Sequence, residues 1–148
     1  MALALLAKQP RAQSTLVSID NFFPVISKLL ASSDPQVTLY GAATLGGLFI
    51  TYDDDAFTRG FVAAQVLQSN VLESLISLAQ APTLPETTRG WVSLCFTNLA
   101  SHPSSRQALT QFGIDKCVDA CLRLLGPVTK VCGATHLDPP PPNTNQEI

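Results

Sequence analysis

At 148 residues, 46% of them hydrophobic and only 14% charged, the chain is long enough for one domain with its own core. Nine basic and eleven acidic residues, with no long run of either sign, speak against a phosphate-tracking nucleic-acid surface. The charge content is well under the ~25% usual for soluble domains, so part of the surface is expected to be covered by further chain or by a partner.

The opening MALALLA has no basic residue before it and is too short for an export signal or a membrane span. It reads instead as the last turns of a truncated helix. A short helix is expected at 11–19, then a medium one in NFFPVISKLLAS at 21–32, with Phe22, Phe23, Ile26, Leu29 and Leu30 on one face. Pro24 is tolerable there because it lies in the first turn. A long helix follows at 34–50, with Asp34 as N-cap and Pro35 at the first helical position. Gly41, Gly46 and Gly47 each cost this helix up to ~1 kcal/mol relative to Ala, which predicts either close helix approach or a local break.

TYDDDAFTRG at 51–60 reads as an acidic loop with Asp55 capping the next short helix, at 58–68. NVLESLISLAQ at 70–80 is the second medium helix, with Val71, Leu72, Leu75, Ile76 and Leu78 or Ala79 inward and a capping box between Asn70 and Glu73. A second long helix begins at Pro85 and runs to 100, and another short one covers 104–112. GIDKCVDACLRLLGP at 113–127 is the third medium helix, with Val118, Cys121, Leu122 and Leu125 as its apolar stripe and Gly126-Pro127 as its stop. The remaining 127–148, with four prolines at 139–142, reads as a disordered or polyproline II tail without a third helix of its own.

The medium helices start at 21, 70 and 113, spacings of 49 and 43. Leu6, Pro10 and Leu16 recur as Leu99, Pro103 and Leu109, each 93 residues on, and Tyr40 and Leu48 recur as Trp91 and Leu99, each 51 residues on. A period of roughly 40–47 belongs to two- and three-helix solenoids. The order short, medium, long is repeated, and NLASHPSSRQALTQFGI at 98–114 resembles the join between successive armadillo repeats. LESLISLAQ is similar to that family's second helix and 85–100 to its third.

The resemblance covers about residues 1–126. It implies an all-α, right-handed armadillo/HEAT-like superhelix of about two full and one or two partial repeats. Residues 1–20 would be the end of one repeat plus the first helix of the next, 21–69 a repeat with the acidic loop, and 70–126 a repeat with part of its successor. In armadillo proteins the third helices line a groove where an Asn, four residues after a Trp, holds an extended peptide. Asn98 matches that Asn, but Leu94 stands at the Trp position. The middle unit has Gly47 and Ala43 at these places, and the first unit has Leu5 at the Asn position, so the peptide ladder is reduced to one rung.

At 100° per residue, Thr87, Trp91, Leu94 and Asn98 share one side of the second long helix, beside a core stripe of Val92, Cys95, Phe96 and Leu99. Their counterparts are Gln36, Tyr40, Ala43 and Gly47. The candidate partner-binding residues are therefore Tyr40, Trp91, Leu94 and Asn98; the alternative is that Tyr40 and Trp91 pack between units.

Signals for chemistry are weak. Cys117, Cys121, Cys132 and His136 could be drawn as a zinc set, but the first two fall on an apolar stripe, where Cys serves as a small hydrophobe. Asp53, Asp54 and Asp55 lack the alternating ligands of a calcium loop. No nucleophile has a visible base, and no phosphate loop or catalytic motif occurs. The tetraproline lacks the flanking Arg or Tyr of an SH3 or WW ligand. The expectation is a cytoplasmic or nuclear protein, not an enzyme, with no cofactor or metal and neither nucleic acid nor membrane as partner. It either binds a protein or peptide along its long helices, or is a structural spacer or short isoform of a larger armadillo-like protein that packs on further repeats.

Overall fold

The computed structural model describes residues 1–50 and 56–125, and all regular structure among them is helical. The elements are α1 (Ala2–Leu6), α2 (Pro10–Val17), α3 (Phe22–Leu30), α4 (Pro35–Phe49), α5 (Ala56–Gln68), α6 (Val71–Ala79), α7 (Glu86–Ser101) and α8 (Pro103–Leu125). α8 is bent at Gly113, whose φ of 132° and ψ of 90° lie outside helical space and suit a residue with no Cβ. Punctuation in the chain explains most of the boundaries. Pro10, Pro35 and Pro103 occupy first helical positions, and Asp34 Oδ1 accepts from the Gln36 amide at 2.8 Å as an N-cap. Asn21, at φ 65°, turns the chain into α3 in the left-handed region that Asn tolerates better than most side chains.

α4 packs against α1, α3 and α7, while α6 packs against α3 and α8, and α5 against α8. One continuous core results, in which Ile26, Leu45, Leu48, Leu72, Leu75, Val92 and Leu99 are fully buried. Between α3 and α6 the apolar contact is reinforced by a polar tie: the Ser27 and Ser74 hydroxyls lie 2.8 Å apart, and Ser74 also donates to the Asn70 carbonyl at 3.0 Å.

The glycines of α4 mark close approach, not a break, for the helix is continuous through all three. A Cβ on Gly41 would stand 2.9 Å from Leu29 Cβ of α3, one on Gly46 would stand 2.6 Å from Trp91 Cε3 of α7, and one on Gly47 would stand 3.3 Å from Ala7 Cβ beside α1. Each glycine thus admits a different neighbour, and the lost helix propensity is set against three tight helix contacts.

Three expectations need correction, and one match by spacing does not extend to burial. The third apolar stripe is not core: Val118, Leu122 and Leu125 are 50%, 61% and 76% exposed and Cys121 is exposed too, while Cys117, Ala120 and Leu124 turn inward. Leu6, matched by spacing to the buried Leu48 and Leu99, is 48% exposed, because α1 has little more than one turn and meets α4 through the small Ala4 and Ala7. The Asn70 side chain makes no capping bond. Its ψ of 9° keeps it out of the extended conformation from which a cap reaches the next turn. Finally, α5 begins at Ala56, so 56–60 is helix and not loop. Asp53, Asp54, Asp55 and the tail at 127–148 lie outside the described residues.

Candidate functional site

α7 presents Trp91, Leu94 and Asn98 along one side, and all three are half-buried. The Trp91 ring edge lies in the notch that Gly46 leaves in α4, and Leu94 Cδ2 approaches the same notch, 3.6 Å from where a Cβ would stand. Above the ring sits the Lys8 ammonium, 4.7 Å from the centroid, an arrangement worth ~0.5–1 kcal/mol where solvent reaches it. Trp91 therefore joins α7, α4 and the link between α1 and α2, and still keeps part of its surface exposed.

Asn98 turns its amide back onto its own helix, Nδ2 donating to the Leu94 carbonyl at 2.8 Å. That leaves the side-chain oxygen and the second Nδ2 hydrogen with hydrogen-bonding capacity for a ligand. Tyr40, one long helix earlier, is also half-buried, and its carbonyl accepts from the Thr44 hydroxyl at 2.7 Å. Tyr40 and Trp91 form no ring pair; the ring contact among the described residues is the edge-to-face Phe22–Phe23, at 5.3 Å. The proposed side of α4 is largely closed, since Ala43 and Gly47 are buried and only Gln36 and Tyr40 of the four reach the surface. Trp91, Leu94 and Asn98 thus share one half-buried side of α7, and Tyr40 makes no ring contact with Trp91.

Two residues that organise this region went unnoticed in the sequence. Lys8 is one. The other is Gln13, 2% exposed, whose Nε2 lies within hydrogen-bond distance of the carbonyls of Ala7 (2.8 Å), Gly47 (3.1 Å) and Ile50 (3.1 Å). With two hydrogens shared among the three, this one amide ties together carbonyls at the ends of α1 and α4, where helix carbonyls run short of intrahelical donors; that of Gly47 also accepts from the Ile50 amide at 3.2 Å. A signal existed: Gln13 lies three residues before the buried Leu16, so it shares the inward face of α2.

The remaining polar groups look structural. Cys95 is fully buried, and burial pushes its thiol up to about 12, so it stays protonated and inert at neutral pH. Burial, and next to it the neighbouring Cys121, raise Cys117 as well. Asp119 is held below the usual carboxylate range, chiefly by its bond with Arg123 Nε at 2.9 Å, and Gln80 Nε2 donates to the same oxygen at 3.1 Å. Cys117 is buried and Cys121 exposed, while Cys132 and His136 lie outside the described residues. No group of three His, Cys, Asp or Glu side chains among the described residues is placed to hold a metal ion. His102 ends α7 beside Gly60 of α5, where a Cβ would stand 3.0 Å from its Nε2. No single helix among the described residues is long and apolar enough to cross a membrane.

No family model, curated protein or solved structure gives a significant match to this chain, so the functional reading rests on residues and geometry alone.

Proposed function

We propose that the chain is a non-enzymatic interaction scaffold, an armadillo-like right-handed solenoid of about two full and one or two partial repeats that binds a partner polypeptide along its long helices. The observation that carries this reading is the consecutive packing of α1, α4 and α7, with Lys8 over Trp91 at the seam between them and Asn98 about two turns further along α7. That seam offers a cation, an aromatic face and a free amide oxygen within a short stretch, a combination suited to peptide backbone and side chains alike. The rigid positioning of Trp91 in the Gly46 notch lowers the entropy lost when a partner docks on its open side.

Crosslinking of the full chain in cell extract, followed by capture with a Tyr40→Ala/Asn98→Ala variant, tests the reading. A crosslinked polypeptide that the variant loses, at unchanged helical circular dichroism, supports it. Retention of that polypeptide by the variant removes these residues from the binding face, and loss of helicity together with binding makes them core.

A second reading rests on a different observation. Leu5 and Leu6 stay exposed on α1, as expected of a spacer whose end stacks on a neighbouring repeat. A chain that crosslinks to no polypeptide in extract favours it.

A further inference from the structure

The helices α1, α4 and α7 stack in one register. Leu6, Leu48 and Leu99 hold equivalent places in it, so a position in α1 has its counterpart 42 residues on in α4 and another 51 on in α7. α4 packs against both of the others, and among the described residues the outer faces of α1 and α7 are the ends of the stack.

Both interfaces use these places alike. Toward its successor α1 turns Ala4 and Ala7, and α4 turns Gly46, all of them buried. Their counterparts in α7 are Thr97 and Ala100, which are exposed and line an open groove of about 490 Å³ between α7 and the second half of α8. Toward its predecessor α4 turns Gly47, where a Cβ would stand 3.3 Å from Ala7 Cβ. α7 likewise turns Leu94, whose Cδ2 lies 3.6 Å from where a Gly46 Cβ would stand. The counterparts of Gly47 and Leu94 in α1 are Leu5 and Met1, 53% and 73% exposed.

The other wall of the groove is open in the same sense. α3, α6 and the second half of α8 are in register from 21, 70 and 113, so Val118 answers to Ile26 and Leu75, and Leu122 to Leu30 and Ala79. The four earlier residues are buried in the core, whereas Val118 and Leu122 are 50% and 61% exposed. α1 shows the complementary half: Leu48 and Leu99 are fully buried, but Leu6 is 48% exposed. One end of the stack thus presents the apolar face of a medium helix beside an open long one. The other end presents a long helix whose equivalents elsewhere in the chain lie against such a face.

We propose that a second copy of this chain docks its α1 in the α7–α8 groove, so that the stack of α1, α4 and α7 continues from one molecule into the next. The register specifies the contacts. Leu5 of the incoming copy meets Ala100 as Gly47 meets Ala7, its Met1 meets Thr97 as Leu94 meets Gly46, and its Leu6 turns toward Val118 and Leu122. Such a contact uses different surfaces on the two copies and leaves one of each free, so assembly proceeds past the dimer. It rests on the register of three helices and holds whether or not a polypeptide binds at Trp91.

Sedimentation equilibrium of the full chain, over a concentration series up to about 1 mM, tests the docking. The weight-average mass is expected to climb past about two copies. Leu5→Asp and Ala100→Arg, both at exposed positions, should each stay monomeric at unchanged helical circular dichroism. Mixed in equal amounts, the two variants should form a dimer and stop there. The intact groove of one takes the intact α1 of the other, and the two remaining faces are blocked. Thr97→Arg takes the place of Ala100→Arg if the latter loses helicity. A full chain that is monomeric at every concentration overturns the proposal, and so does a mixture of the variants that stays monomeric. Assembly that persists in Leu5→Asp assigns the groove to a symmetric pair and overturns it too.

Discussion

Gly46→Ala is the sharpest probe of the seam between α4 and α7. In an exposed helix this change gains up to ~1 kcal/mol of helix propensity. Here the added methyl would stand 2.6 Å from Trp91 Cε3 and 3.2 Å from Cζ3, about 1 Å inside the usual 3.5–4.0 Å carbon contact for the nearer atom. The rigid ring has to shift to clear the methyl, and Leu94 Cδ2, 3.6 Å from the same point, leaves little room beside it. Overpacking of this kind costs ~1–3 kcal/mol, so the single variant should lose about 1 kcal/mol net. With Trp91→Ala already in place the obstruction is gone, and Gly46→Ala should then stabilise by about 1 kcal/mol. A double-mutant cycle by urea denaturation, followed by circular dichroism, should therefore give a coupling of about 2 kcal/mol. Additivity within ~0.5 kcal/mol, or a stabilised Gly46→Ala single variant, would refute the notch as the site of Trp91.

Gly90→Ala in α7 supplies the opposite case. A Cβ there meets nothing within 4 Å, so this change should raise stability by ~0.5–1 kcal/mol in the same denaturation assay. Gln13→Ala removes the amide whose two hydrogens serve the carbonyls of Ala7, Gly47 and Ile50 and should cost ~1–3 kcal/mol, with amide exchange accelerating first at the C-terminal turn of α4. The Cys95 thiol, raised from 9.0 to about 12 by burial, must stay neutral in the folded state. Its contribution is complete below pH 9 and is lost as pH rises from 9 toward 12, up to ~4 kcal/mol; Cys95→Ala should flatten the wild-type decline in that window.

Helix order was legible because this chain punctuates itself. Asp34, Pro35, Pro85 and Pro103 mark helix starts, and Gly113 marks the bend in α8, all visible without knowledge of the packing. Burial was legible where a stripe has neighbours on every side, as in α3 and α6. It failed at Val118, Leu122 and Leu125 because periodicity tells which side of a helix is apolar, not whether anything lies upon it. It failed at Leu6 because a match by spacing assumes equal helix length, and α1 is five residues long.

The candidate site shows the same division. Trp91, Leu94 and Asn98 share a side by helical geometry alone, and the structure keeps them together. The partners that hold them, Gly46 and Lys8, lie 45 and 83 residues away in sequence, beyond the reach of any local pattern. Gln13 is a similar case, since its acceptors Gly47 and Ile50 come near only when α1 and α4 pack.

The bend in α8 has a mechanical meaning. Run straight, its 23 residues would form a rod of about 35 Å, yet the bent helix meets α5, α6 and α7. One hydrogen atom in place of a side chain at 113 lets a single stretch of backbone change heading without a loop, so this corner is set by the narrowest chemical margin an amino acid offers. Any larger residue there would carry backbone strain, although a Cβ would have room beside Lys116.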